Sequence, residues 1–204
     1  MKCILNQFDF IENSVFGLKG RLDRSRIAAA GHSFGAHMTV MLLGARVIDS
    51  DGSLGEDFFD SRIKAGVLLC AGGRGKSLTS FAVEHFPSRN QSYAEMTTPT
   101  LVVAGDKDHS SITSLGPEWF TDAYTLSPGA EWLVTTFGGE HMLGGISGYL
   151  VTETTDENPE RVEAVQRLTC AYLRSALYPA DNTWAAARAA FMGCPDPAGR
   201  VDRK

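Results

Sequence analysis

Ser33 stands between two glycines in Ile27-Ala28-Ala29-Ala30-Gly31-His32-Ser33-Phe34-Gly35-Ala36-His37-Met38, after a short apolar segment and before a run of helix formers. A serine so placed fits a sharp strand-to-helix turn, where a side chain in place of either glycine would meet neighbouring backbone. Such a turn lifts a hydroxyl toward a substrate, and the chemistry it serves is nucleophilic. A serine hydroxyl is inert at neutral pH without a base, and the base needs an orienting carboxylate. The chain offers both. The apolar run TLVVAG leads into Gly105-Asp106-Lys107-Asp108, and EWLVTTF leads into Gly138-Gly139-Glu140-His141.

Five histidines compete for the role of base. His32 lies inside the turn and is expected to point away from the Ser33 hydroxyl. His37 rides a buried helix, His85 belongs to a short helical stretch, and His109 adjoins the acidic turn, a poor place for a separate base. His141 alone follows a strand on a glycine-flanked loop, so it is the candidate base.

Strands and helices must position these residues, and the apolar spacing predicts them. Ile4, Phe8, Ile11, Val15 and Leu18 recur at helical spacing, punctuated by Gly17 and Gly20, and predict an opening amphipathic helix. Residues 26–30 read as a short strand, and 35–47 as a helix apolar on several faces, hence buried. Residues 63–71, 100–105 and 131–137 are continuous apolar runs, the pattern of strands covered on both faces in a parallel sheet. The Gly, Ser and Pro-rich stretches between them, with helical potential at 78–86 and 117–124, are connections over strand ends, where pockets are lined. Trp119, Phe120, Tyr124, Met142 and Leu143 are candidates for a substrate wall there, with Trp119 and Met142 foremost. Asn158 as N-cap and Pro159 at the first helical position open a helix through about residue 177. A last helical patch covers 184–192, followed by Pro, Gly and charge.

At 204 residues and 43% hydrophobic, the chain fits one globular α/β domain, residues 1–204. A net charge of -5 without runs of like charge argues against nucleic-acid binding, which needs clustered Lys or Arg. Cys3, Cys70, Cys170 and Cys194 form no C-x-x-C pair, so neither a metal site nor a redox dithiol is expected, and no cofactor. No segment approaches the roughly 20 apolar residues of a membrane span. A soluble, cytoplasmic protein is the expectation.

The stretch GRLDRSRIAAAGHSFGAHMTVMLLGAR resembles the α/β-hydrolase superfamily, most of all its serine-dependent branch of dienelactone-hydrolase-like, platelet-activating-factor-acetylhydrolase-like and chlorophyllase-like proteins. The similarity covers about residues 18–177. The chain order Ser, Asp, His is the one that fold requires. The resemblance implies that the acid is the last residue of the G-x-x-D turn, Asp108, with Asp106 as the fallback. It also implies that the backbone N–H of Phe34, the residue after the nucleophile, helps bind an oxyanion.

The superfamily sheet normally has eight strands, with the nucleophile after the fifth. Only 32 residues precede Ser33, and they hold one helix and one strand. A partial α/β-hydrolase fold is therefore expected, a mostly parallel sheet of about four strands flanked by helices, with the N-terminal half of the usual sheet missing. The loop that usually supplies a second oxyanion donor has no counterpart, and losing one such donor costs about 3 kcal/mol in the transition state. The strand before Ser33 is left with a bare edge, to be completed by a missing N-terminal segment or by a second copy of the chain.

The resulting expectation is a serine hydrolase acting on a small carboxylic ester through Ser33, His141 and Asp108, with Phe34 N–H at the oxyanion. The serine argues against a dienelactone hydrolase in the strict sense, since those enzymes carry a cysteine there. The alternative is a catalytically impaired fragment or binding module that keeps the three residues by descent. A nucleotide site at Cys70-Ala71-Gly72-Gly73-Arg74-Gly75-Lys76-Ser77 is a third reading. It lacks the first glycine of a phosphate-binding loop.

Overall fold

The computed structural model describes residues 2–148 and 151–204. Two short helices, α1 (Lys2–Asn6) and α2 (Phe8–Ser14), precede β1 (Ile27–His32), which runs through the Ser33 turn into α3 (Phe34–Leu43). β2 (Arg46–Val47), β3 (Ile63–Leu69), α4 (Ser80–His85), β4 (Gln91–Ser92) and β5 (Thr100–Gly105) follow. The chain then forms α5 (Asp122–Leu126), β6 (Ala130–Thr136), α6 (Pro159–Leu177), α7 (Thr183–Met192) and β7 (Gly199–Arg203).

The main sheet has the order β1-β3-β5-β6-β7; the first four strands are parallel and β7 pairs antiparallel with β6. The architecture is α/β, a mostly parallel five-stranded sheet flanked by helices. Every residue of β5 is buried, as its unbroken apolar run TLVVAG requires of a central parallel strand. β1 is an outer strand and mostly half-buried. α3 buries Ala36, His37 and Thr39 through Leu43 against β1 and β3, so its lack of a polar face is explained by cover on most sides. α6 begins where the sequence predicts, with Asn158 Oδ1 accepting the Arg161 N–H at 2.9 Å and Pro159 in the first turn.

Three expectations are corrected. The opening helix is broken at Gln7, and neither half buries a residue. Ile4 and Val15 of the expected stripe lie exposed, so it has little to pack on, and a short helix without tertiary cover is marginal in water. The sheet has five strands rather than four, because Gly199–Arg203 joins it as β7. GRVDR alternates charge with a single apolar residue and carries no strand signal of its own; its partner β6 supplies the order, and its charges suit an outer strand. Finally, the helix after Ser33 ends at Leu43, and Arg46–Val47 pairs antiparallel with Gln91–Ser92 in a separate two-stranded sheet.

None of the described helices is long and apolar enough to cross a membrane.

Candidate active site

Parallel strands end at the same edge of a sheet, so the segments leaving β1, β5 and β6 meet there. Ser33 follows β1 at once, Asp108 lies three residues past β5, and His141 five past β6. His141 Nε2 is 2.7 Å from Ser33 Oγ, and its Nδ1 is 3.0 Å from both carboxylate oxygens of Asp108. An ionised carboxylate only accepts, so Nδ1 carries the proton. Nε2 is then bare, and it accepts the Ser33 O–H. That is the tautomer a general base at Ser33 needs.

The Ser33 turn is strained. Ser33 has φ 53° and ψ -116°, a left-handed φ for a residue with a side chain. Its N–H donates to Leu69 O at 3.0 Å, which ties the turn to β3. A Cβ on Gly31 would stand 2.2 Å from Gly35 O, so the chain re-crosses itself there and only glycine fits. The same probe on Gly35 meets nothing within 4 Å. The expected need for glycine on both sides therefore holds at Gly31 alone; Gly35 enters the crossing through its backbone.

The N–H groups of Phe34 and its successors open α3, where no intrahelical acceptor exists for them. They form the positive end of the helix, beside Ser33, and suit an anion. The Phe34 ring is exposed, with the Arg89 guanidinium 5.0 Å above it.

The two aspartates separate by role. Asp108 is fully buried beneath His141, whereas Asp106 Oδ1 accepts the Gly138 N–H at 2.7 Å and braces the turn after β6. The turns also touch by backbone. A Cβ on Gly105 would lie 2.0 Å from Gly139 O, and the Lys107 N–H donates to that oxygen at 2.9 Å.

Two neighbours of the three residues were not anticipated. His32 Nε2 donates to the His141 backbone oxygen at 2.7 Å, tying the Ser33 turn to the His141 turn. Burial holds the His32 imidazole below its ordinary pKa, against the opposing pull of its hydrogen bond to the His141 carbonyl. Cys70, directly after β3 with φ 49°, is fully buried. Burial first, and the Asp108 charge second, push its thiol well above the usual range. His32, Cys70 and His141 each bring one ligand atom within 4.8 Å of the others. They do not fit a metal: both ring nitrogens of His141 are engaged, His32 Nε2 is a donor, and the thiol is held protonated.

The expected substrate wall is redrawn. Trp119 is buried rather than lining a pocket: its ring packs against Gly72, its Nε1 donates to Arg74 O at 3.1 Å, and a ring this size finds its cover in the core. Phe120, also buried, stacks at a tilt 5.6 Å from the His141 ring. Leu143 is fully buried, Tyr124 lies 5.2 Å from Lys204, and half-buried Met142 accepts a contact from Ser147 Oγ at 3.4 Å. His85 and His109 are exposed, and buried His37 bonds Gln91 Oε1 at 2.5 Å. The Gly-Lys-Ser stretch makes only a short 3-10 turn, and the loop before it is filled from within: the Arg74 N–H and guanidinium both donate to Asp122. A cavity of about 710 Å³ beside it, lined by Val47, Lys76 and Leu78 among others, does not include Ser33, Asp108 or His141.

No protein-family model matches the chain, and none of the curated proteins compared with it does.

Proposed function

We propose that this chain carries the acyl-transfer centre of a serine hydrolase of the α/β-hydrolase type, acting on a small carboxylic ester. The observation that carries the reading is the hydrogen-bonded chain Ser33 Oγ to His141 Nε2 at 2.7 Å and His141 Nδ1 to Asp108 at 3.0 Å, built on a strained turn at the head of a helix. The order of the three residues along a mostly parallel sheet supports the same reading.

In that reaction Ser33 Oγ attacks the ester carbonyl carbon as His141 Nε2 takes its proton. The carbonyl oxygen becomes an oxyanion facing the Phe34 N–H at the head of α3. Asp108 keeps the imidazole in its productive tautomer and stabilises the imidazolium. The carbonyl re-forms, the C–O bond to the alcohol breaks, and His141 returns the proton to the leaving oxygen. Water, activated by His141, then attacks the acyl-Ser33 ester and releases the acid.

The test is labelling of the folded chain with a fluorophosphonate probe, beside hydrolysis of p-nitrophenyl acetate. Ser33-dependent labelling, absent in Ser33→Ala, is the expected result. A folded wild type that neither labels nor hydrolyses overturns the proposal in favour of a binding module that keeps the three residues without their chemistry.

A further inference from the structure

The turn that carries His141 is gripped from outside by a buried ion pair that takes no part in the reaction. Asp156 Oδ2 accepts the Glu140 N–H at 2.9 Å and the Gly144 N–H at 2.9 Å, one residue before His141 and three after it. The same oxygen accepts Arg161 Nη1 at 2.8 Å. Arg161 reaches on, Nη1 to Asp156 O at 3.0 Å and Nη2 to Phe137 O at 2.9 Å, where the turn leaves β6. The two side chains are 9% and 5% exposed. Arg161 sits in the first turn of α6, and the Asn158 N–H donates to Gly144 O at 2.9 Å. Phe137 O is thus fixed to Arg161 in α6, and Glu140 N and Gly144 N to Asp156 in the segment just before it; the three points bracket His141.

We propose that Asp156 and Arg161 are positioning residues for His141, holding its imidazole between Ser33 and Asp108; the inference rests on the hydrolase reading above. A buried ion pair is poor value as a source of stability, because well-packed apolar groups serve as well or better. This pair is not even arranged for stability: Asp156 Oδ1 and Arg161 Nε have no partner among the described residues, while Oδ2 alone takes three donors. What the pair does provide is directional bonding to backbone. The turn needs it, since Leu143 at φ 49° holds a left-handed conformation that its side chain disfavours. A base displaced by about 1 Å loses on the order of 100-fold in rate.

The experiment compares wild type with Asp156→Ala and Arg161→Gln, assayed with p-nitrophenyl acetate at a temperature where each is shown to be folded. The expected result is a kcat lower by about 10- to 100-fold with KM little changed, and a parallel fall in fluorophosphonate labelling. The nitrogen NMR spectrum of histidine-labelled protein is expected to show one His141 tautomer, protonated at Nδ1, in wild type, and a mixture in the variants. Should either variant fail to fold, Arg161→Lys takes its place: it keeps the charge but cannot span Phe137 O and Asp156 together, and a partial loss is expected. A folded variant with wild-type kcat and an unchanged His141 spectrum overturns the inference. If wild type shows no hydrolysis or labelling, the hydrolase reading has failed, and the His141 spectrum alone still decides whether the pair orients the ring.

Discussion

The two halves of the site are built by different means. Ser33 is presented by its own neighbourhood: a strand, one glycine that lets the chain re-cross at Gly35, and the helix that follows. His141 is presented by residues scattered over the chain. Its turn is bonded to Asp106 and Lys107 after β5, to Asp156 and Arg161 at the head of α6, and to His32 in the Ser33 turn. A nucleophile needs one exposed atom on a rigid turn, which local backbone geometry can give. A base needs two nitrogens aimed at two different partners, and that takes constraints from several directions.

The largest effect expected is at the hinge between the halves. Asp108→Asn keeps the shape but offers an N–H toward Nδ1, favouring the wrong tautomer, and kcat for p-nitrophenyl acetate should fall by about 10⁴-fold. Asp106→Asn keeps an oxygen for the Gly138 N–H, so its kcat should stay within about 10-fold of wild type. Equal losses in the two variants would mean that the acid has been assigned to the wrong aspartate.

The Ser33 half is tested through its glycines. Gly31→Ala drives a Cβ against Gly35 O, a backbone atom that cannot swing aside, and should cost about 1–3 kcal/mol of stability together with the fluorophosphonate reaction. Gly35→Ala enters open space in the first turn of α3 and should stabilise by about 0.5 kcal/mol. Urea unfolding of both variants measures the contrast, and a destabilised Gly35→Ala would show that the crossing needs both glycines after all.

The smallest effect is a pH dependence of stability. Burial holds His37, in α3, below the ordinary 6.5, with the Arg89 charge adding to it, and His32 is depressed in the same direction. Above pH 6.5 both folded and unfolded chains carry these rings neutral, and the stability is fully present. As pH falls below 6.5 the unfolded chain takes up protons first, so stability declines until the folded rings titrate in turn. His37→Asn, which keeps a donor for Gln91, should flatten the fall in Tm between neutral and mildly acidic pH. An identical slope in the variant would remove His37 as a source.

How far the sequence reaches follows the same division. The Ser33 turn, the four parallel strands and the capped start of α6 all leave marks in adjacent residues: glycine where backbone crosses backbone, apolar runs where both faces are covered, Asn-Pro where a helix begins. His141 could be singled out because glycines surround it. Trp119 shows the limit, since an aromatic in a connecting loop reads the same whether it lines a pocket or, as here, packs under Gly72.

By itself, then, the sequence determined the α/β pattern and named a serine, a histidine and a pair of aspartates at strand ends, because local backbone demands are written in neighbouring side chains. Only the tertiary structure decided that Asp108 lies beneath His141 while Asp106 braces the turn, and that GRVDR becomes β7. It alone joined Asp156 and Arg161 to the turn of His141. Those contacts join segments far apart in the chain through ordinary polar residues, whose roles depend on what faces them in the fold and leave no trace in the residues beside them.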